Sequence, residues 1–149
     1  MEKPTVPEDF IKHTQEKIEK GQDLSIPISE HELITECEGD ELCERALNDF
    51  FDYSVRYAAD VWEMKMLFAE KNKYSTEEWQ DIYGKADRAR SQLHDTLIDS
   101  IAILIRQMNR AERDTDWARE LMPAGKLERA YCGKFAIMLT YSRYVNDIE

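Results

Sequence analysis

Glycine and proline together fill only nine of the 149 positions, five and four respectively. A β-sandwich or barrel rich in turns needs more of both, so that class is excluded. Long apolar runs are missing as well. The longest, residues 101–105 and 135–139, are five residues each, far short of the ~20 that a membrane-spanning helix requires. Cysteine is sparse and odd in number: Cys37, Cys43 and Cys132. Such a count builds no disulfide framework and reads as reduced thiols. The opening residues, MEKPTVPEDF, lack the apolar centre of a secretory signal. These shortages together predict a cytoplasmic location.

Positive charge is the next shortage. Lys and Arg number 20 against 31 Asp and Glu, a formal charge of −11. Sequence-blind nucleic-acid binding and anionic membrane surfaces both need basic stripes. The densest basic stretch, residues 85–90, has three cations and one Asp, so direct nucleic-acid and membrane partners are not expected. The imbalance is local. Residues 1–52 carry 15 acids and 5 bases, whereas residues 53–149 carry 16 and 15. Between Asp23 and Asp52, ten acids face one base, Arg45.

What the chain does have is helical periodicity. Pro7 suits the first turn of a helix reaching about Lys20 and closed by Gly21. Its apolar face is thin: Phe10, Ile11, Thr14 and Ile18. Residues 22–28 read as a linker. Ser29 with Glu32 has capping-box spacing, which predicts a short helix from Glu30 to about Glu36. A long helix is predicted from Glu41 to about Asn72, on a stripe through Ala46, Phe50, Tyr57 and Val61. Ser75 with Glu78 caps the next, whose stripe Leu93, Leu97, Ile101, Leu104 and Met108 ends near Arg110. The last runs from about Lys126 to Asn146 and is apolar around most of its circumference, which marks it as the central helix. The fold class is therefore all-α. An antiparallel bundle of three long helices (residues 39–149) follows an acidic N-terminal helical extension (residues 1–38). A turn near Lys73 makes the first two long helices a hairpin, placing His94 near Ser54 and Arg90 near Ala58.

Few constellations suggest chemistry. Acidic pairs at i,i+3, such as Glu41/Glu44, Asp49/Asp52 and Asp60/Glu63, could hold Mg²⁺ as in all-helical nucleotide pyrophosphohydrolases. There are six, and random placement of 31 acids in 149 positions gives about six. No Glu precedes a His by three residues, which excludes the di-iron bundle pattern. His31, Cys37 and Cys43 match no zinc-knuckle spacing. Cys132 lies in an apolar helix, and only His94 could serve it as a base. There is no Gly-rich phosphate loop and no nucleophile elbow. No catalytic residue, metal or cofactor is expected. Arg90 and His94 are one turn apart on one helix face. Opposite them the first long helix offers Asp52, Tyr57 and Asp60, so these five residues form the candidate polar network or pocket.

The stretch RARSQLHDTLIDSIAILIR contains Arg90, His94, Asp95, Leu97, Ile98, Ile101, Ile103, Leu104 and Arg106. It resembles a pattern in an uncharacterised family of small all-helical bacterial proteins, mostly from Firmicutes, over about one helix. That family's pattern closes on Asn-Arg, where this chain has Ile105-Arg106. The resemblance implies a helical bundle from a bacterial cytoplasm and implies no activity.

Two functions are expected from the sequence. The first is a non-catalytic interaction protein, such as an inhibitor, an immunity-like protein or an adaptor. It would meet a basic protein surface through Glu30, Glu32, Glu36, Glu38, Asp40, Glu41 and Glu44, with a homodimer also compatible. The alternative is a small-molecule binder or enzyme, for example a metal-dependent nucleotide hydrolase, with a pocket around Arg90 and His94.

Overall fold

The computed structural model describes residues 8–21 and 26–148. Pro7, residues 22–25 of the expected linker, and the side chains of Ile18 and Val145 lie outside what is described. Five α-helices follow in order: α1 Glu8–Glu19, α2 Glu30–Cys37, α3 Glu41–Ala69, α4 Thr76–Arg110 and α5 Arg129–Ile148. No strand occurs among the described residues. The fold is all-α, with three long helices packed together and two short ones at the N-terminal side.

Local chemistry sets the boundaries. Ser29 accepts from the Glu32 amide while Glu32 reaches back to the Ser29 amide, so both arms of the capping box form. Asp40 caps α3 by accepting from the Cys43 amide at 3.0 Å, and Ser75 caps α4 by accepting from the Glu78 amide at 3.2 Å. Each satisfies an amide that the first helical turn would leave unpaired. Gly39, at φ +87°, makes the sharp turn between α2 and α3. The last helix starts at Arg129, a few residues later than expected. The connection from α4 to it contains 3₁₀ turns at Asp116–Leu121 and Pro123–Gly125.

α3 and α4 form the antiparallel hairpin. Phe68 meets Trp79 near the turn, Tyr57 meets His94 midway, and the Cys43 thiol donates to the Gln107 carbonyl at the far end. His94 thus sits about one turn along α3 from Ser54. α5 lies across this hairpin and touches α1 and α2 as well. Its Phe135 stacks between Phe50, at 5.6 Å between centroids, and Trp117, at 5.7 Å. The main core joins these rings to Leu97, Ile101, Leu104, Met108 and Leu139, and takes in Leu33 and Cys37 of α2. A smaller cluster holds α1 in place: Phe10 packs on Val55 and Ala58, with Trp62 beside it. No described helix is long and apolar enough to cross a membrane.

Candidate ligand groove

Because each helix is regular, residues three and four apart share a face. Four helices turn such a face toward one cavity of about 600 Å³, inside the size range of small-molecule sites. α1 supplies Phe10, His13 and Lys17, and α3 supplies Tyr57, Val61, Trp62 and Lys65. α4 supplies Arg90, Ser91 and His94, and α5 adds Arg129, Gly133, Lys134, Ile137 and Met138.

The inner wall is built around His94, which is buried. His94 Nε2–H donates to the Arg129 carbonyl at 2.9 Å, and Arg129 Nε–H donates to His94 Nδ1 at 3.4 Å. These partners fix the neutral tautomer. Burial pushes the His94 pKa below the usual 6.5; the carbonyl bond opposes this, while the Arg129 and Arg90 charges add to it. The Tyr57 ring lies 5.1 Å from the imidazole, centroid to centroid. Gly133 backs both: a Cβ there would stand 2.9 Å from Tyr57 Oη and 3.3 Å from His94 Nε2. The ring pair can approach the α5 backbone only because that side chain is absent.

Cations occupy the rest of the polar wall. Arg90 pairs with Asp87 at 3.1 Å, and the Tyr57 hydroxyl is near enough to favour its charged form. Burial works against the Arg90 cation, but the Asp87 and Tyr57 contacts outweigh it and raise its pKa. Arg129 also pairs with Asp95, outside the groove. On the opposite side Lys65 donates to His13. The His13 pKa is lowered first by burial, then by Lys65 and Lys17. Lys65 is itself lowered by burial and by Lys17, with Glu16 pulling the other way.

Of the five expected network residues, the fold brings Tyr57, Arg90 and His94 together and leaves out both acids. Asp52 pairs with Arg56 one turn along α3, at 3.2 Å. Asp60 is half-buried off the groove lining, and burial raises its pKa. Sequence reading missed Lys17, Lys65, Arg129, Gly133 and Lys134. Their signal was faint: on α5, Arg129, Gly133 and Ile137 recur at four-residue spacing along one edge of an otherwise apolar helix.

The acids expected to face a partner are partly occupied within the chain. Glu30 pairs with Arg143 at 3.4 Å, and Glu32 closes its capping box. Asp40 caps α3 and accepts from Arg110 at 2.6 Å, while Glu41 pairs with Arg45 at 3.2 Å. Glu38 and Glu44 are exposed and Glu36 half-buried. The thiols are free and buried; burial pushes Cys37 up to about 12 and Cys132 up to about 11. Among the described residues, no three His, Cys, Asp or Glu side chains are grouped to hold a metal ion.

Fold and groove together define an all-α bundle with a basic, part-apolar groove between four helices. The chain belongs to a family described as a protein of unknown function (DUF3232), whose pattern matches residues 8–125. No curated protein and no solved structure matches the chain. The matched span includes α1 to α4, and α5, which supplies the fourth wall, lies beyond it.

Proposed function

We propose that this chain is a small-molecule-binding protein of a bacterial cytoplasm and that its ligand site is the groove between α1, α3, α4 and α5. The observation that carries this reading is the cavity itself: about 600 Å³, with Phe10, Trp62, Ile137 and Met138 on one part of its wall and converging polar groups on another. Three buried free thiols suit a reducing compartment. Binding fits the side chains better than bond-making chemistry. Both His94 nitrogens are engaged by Arg129, and the Cys132 thiol is far from ionising at neutral pH. Among the described residues no Asp or Glu lines the groove, so these residues offer a hard cation no carboxylate of the kind metal-dependent nucleotide hydrolysis needs.

Chemical-shift mapping with a panel of small aromatic and aliphatic compounds, neutral and charged, tests the reading. Shifts should gather at the Trp62 indole and the Gly133 amide. They should vanish in Ala130→Trp, which places a large ring at the groove rim where Ala130 is exposed. Shifts scattered over the surface, or unchanged in that variant, would rule the groove out as a ligand site.

A second reading has its own observation. Ile34 and Leu42 are 46% and 45% exposed within the acidic stretch, a mixed apolar and acidic face suited to a basic protein surface. The variant that probes it replaces Glu36, Glu38 and Glu44 with Gln and spares the acids engaged in caps and ion pairs. A basic protein captured from host lysate by the wild type alone supports this reading; equal capture by both sinks it.

A further inference from the structure

We propose that the groove takes an amphipathic anion, a carboxylate, sulfonate or phosphate group carried on an aromatic or aliphatic body. The proposal rests on the reading of the groove as a ligand site and names the class of ligand.

The sign of the wall is the first argument. Among the described residues its formally charged side chains are Lys17, Lys65, Arg90, Arg129 and Lys134, all basic. In a chain of 31 acids and 20 bases, five charged positions drawn without regard to sign would include about three acids. The most negative part of the chain is its first third, yet two of the groove's lysines stand in or against that part, on α1 and α3. The gathering is a product of the fold, because the five residues come from four helices.

How these cations are compensated is the second argument. Arg90 and Arg129 have carboxylate partners, Asp87 and Asp95, off the groove lining. Lys17, Lys65 and Lys134 have no ion-pair partner among the described residues. Lys17 and Lys65 feel one another directly: the Lys17 charge helps to depress the Lys65 pKa, after burial and against the pull of Glu16. An anion seated between them would replace repulsion with two attractions, in a recess where water screens less than at an open surface.

The third argument is the neighbouring apolar surface. Phe10, Val61, Trp62, Ile137 and Met138 lie on the same lining. Phe10 meets the Trp62 ring edge-on at 6.4 Å, and the His13 ring is tilted over it at 5.6 Å. Inorganic phosphate would leave this wall unused, whereas an uncharged hydrocarbon would give none of the three lysines an ion pair.

The test compares two dyes with one aromatic skeleton. Anilinonaphthalene sulfonate carries the anion, and N-phenylnaphthylamine lacks it. Fluorescence titration of the native protein should show saturable binding of the sulfonate, at least about tenfold tighter than the neutral dye and weaker as salt is raised. Lys17→Gln and Lys65→Gln should each weaken the sulfonate about three- to tenfold and the neutral dye less than about twofold. Both variants should melt near the wild type, which keeps the comparison within the folded state. Equal affinity for the two dyes, lost for both in Ala130→Trp, would overturn the anion proposal and leave the ligand groove standing. Binding of neither dye, or of both undiminished in Ala130→Trp, would overturn the groove together with the proposal.

Discussion

Gly133 shows how one missing methyl group shapes the groove. A Cβ at this position would crowd Tyr57 Oη at 2.9 Å and Tyr57 Cε1 at 3.3 Å. Alanine is better than glycine inside a helix by about 1 kcal/mol, but Tyr57 is buried and packed against His94. The clash should win, so Gly133→Ala is expected to lower stability by roughly 1 kcal/mol net in urea denaturation. Removing the hydroxyl with Tyr57→Phe should make the same substitution cheaper, and an equal cost in both backgrounds would refute the contact as its cause. His94 gives a prediction in pH. Its folded pKa lies below 6.5, first through burial. The unfolded chain therefore takes up its proton earlier as pH falls. Stability from the neutral imidazole is complete above 6.5 and is lost as pH drops through that value toward the folded pKa. His13 acts in the same direction. Asp60, raised by burial, acts oppositely and gains stability as it protonates. In denaturation at about pH 7 and about pH 5, His94→Gln should be less stable than the wild type at the higher pH and lose less between the two. A wild-type decline that His94→Gln leaves unaltered would remove His94 as its source.

At the scale of the element, caps explain why the helices were readable and why the groove was not. Ser29, Asp40 and Ser75 each sit just before a periodic apolar stripe, and the chain restarts at each. These signals are local, so they survive in a string of letters. Partnership between elements is not local. Hairpin pairing of α3 and α4 alone puts Asp52 and Asp60 on the side of His94. Yet Asp52 finds Arg56 four residues away, and α5 rather than α3 supplies both partners of His94. The basic wall was hidden for the same reason: a total of −11 says nothing about where four helices gather their cations. Asp40, expected at a partner surface, is engaged within the chain as the cap of α3. Its pKa is lowered first by the hydrogen bond from the Cys43 amide, and Arg110 adds to the effect. Asp40→Asn keeps an acceptor for that amide and loses the charge, whereas Asp40→Ala loses both. Thermal midpoints should therefore fall in the order wild type, Asn, Ala. An Asn variant as unstable as the Ala variant would transfer the role from the cap to the Arg110 pair.

For the molecule as a whole, the arrangement of its two apolar clusters decides which part gives way first. α3, α4 and α5 share the main core, and α2 joins it through Leu33 and Cys37. α1 rests on the smaller cluster, where Phe10, 4% exposed, meets Val55 and Ala58. A helix of 12 residues does not persist alone in water, so docking and helicity of α1 should be lost together. Phe10→Ala is thus expected to speed amide exchange across Glu8–Glu19 while leaving the central amides of α3 to α5 nearly unchanged. The docking free energy caps what this local opening can cost, and the about 3–5 kcal/mol of a Phe→Ala change in a main core should not be seen globally. α1 also supplies Phe10, His13 and Lys17 to the groove, which couples its docking to the ligand. A ligand that binds only the docked state stabilises it by about 2.7 kcal/mol at one hundred times its Kd. Anilinonaphthalene sulfonate at that excess should therefore slow α1 exchange by about a hundredfold, as read by hydrogen–deuterium exchange with mass detection. The same dye should bind Phe10→Ala more weakly, because part of its affinity is then spent on re-docking α1. If saturating dye leaves α1 exchange untouched, α1 is not a wall of the occupied site, and the anion must be held without Lys17, by Lys65, Arg90, Arg129 and Lys134 of α3, α4 and α5.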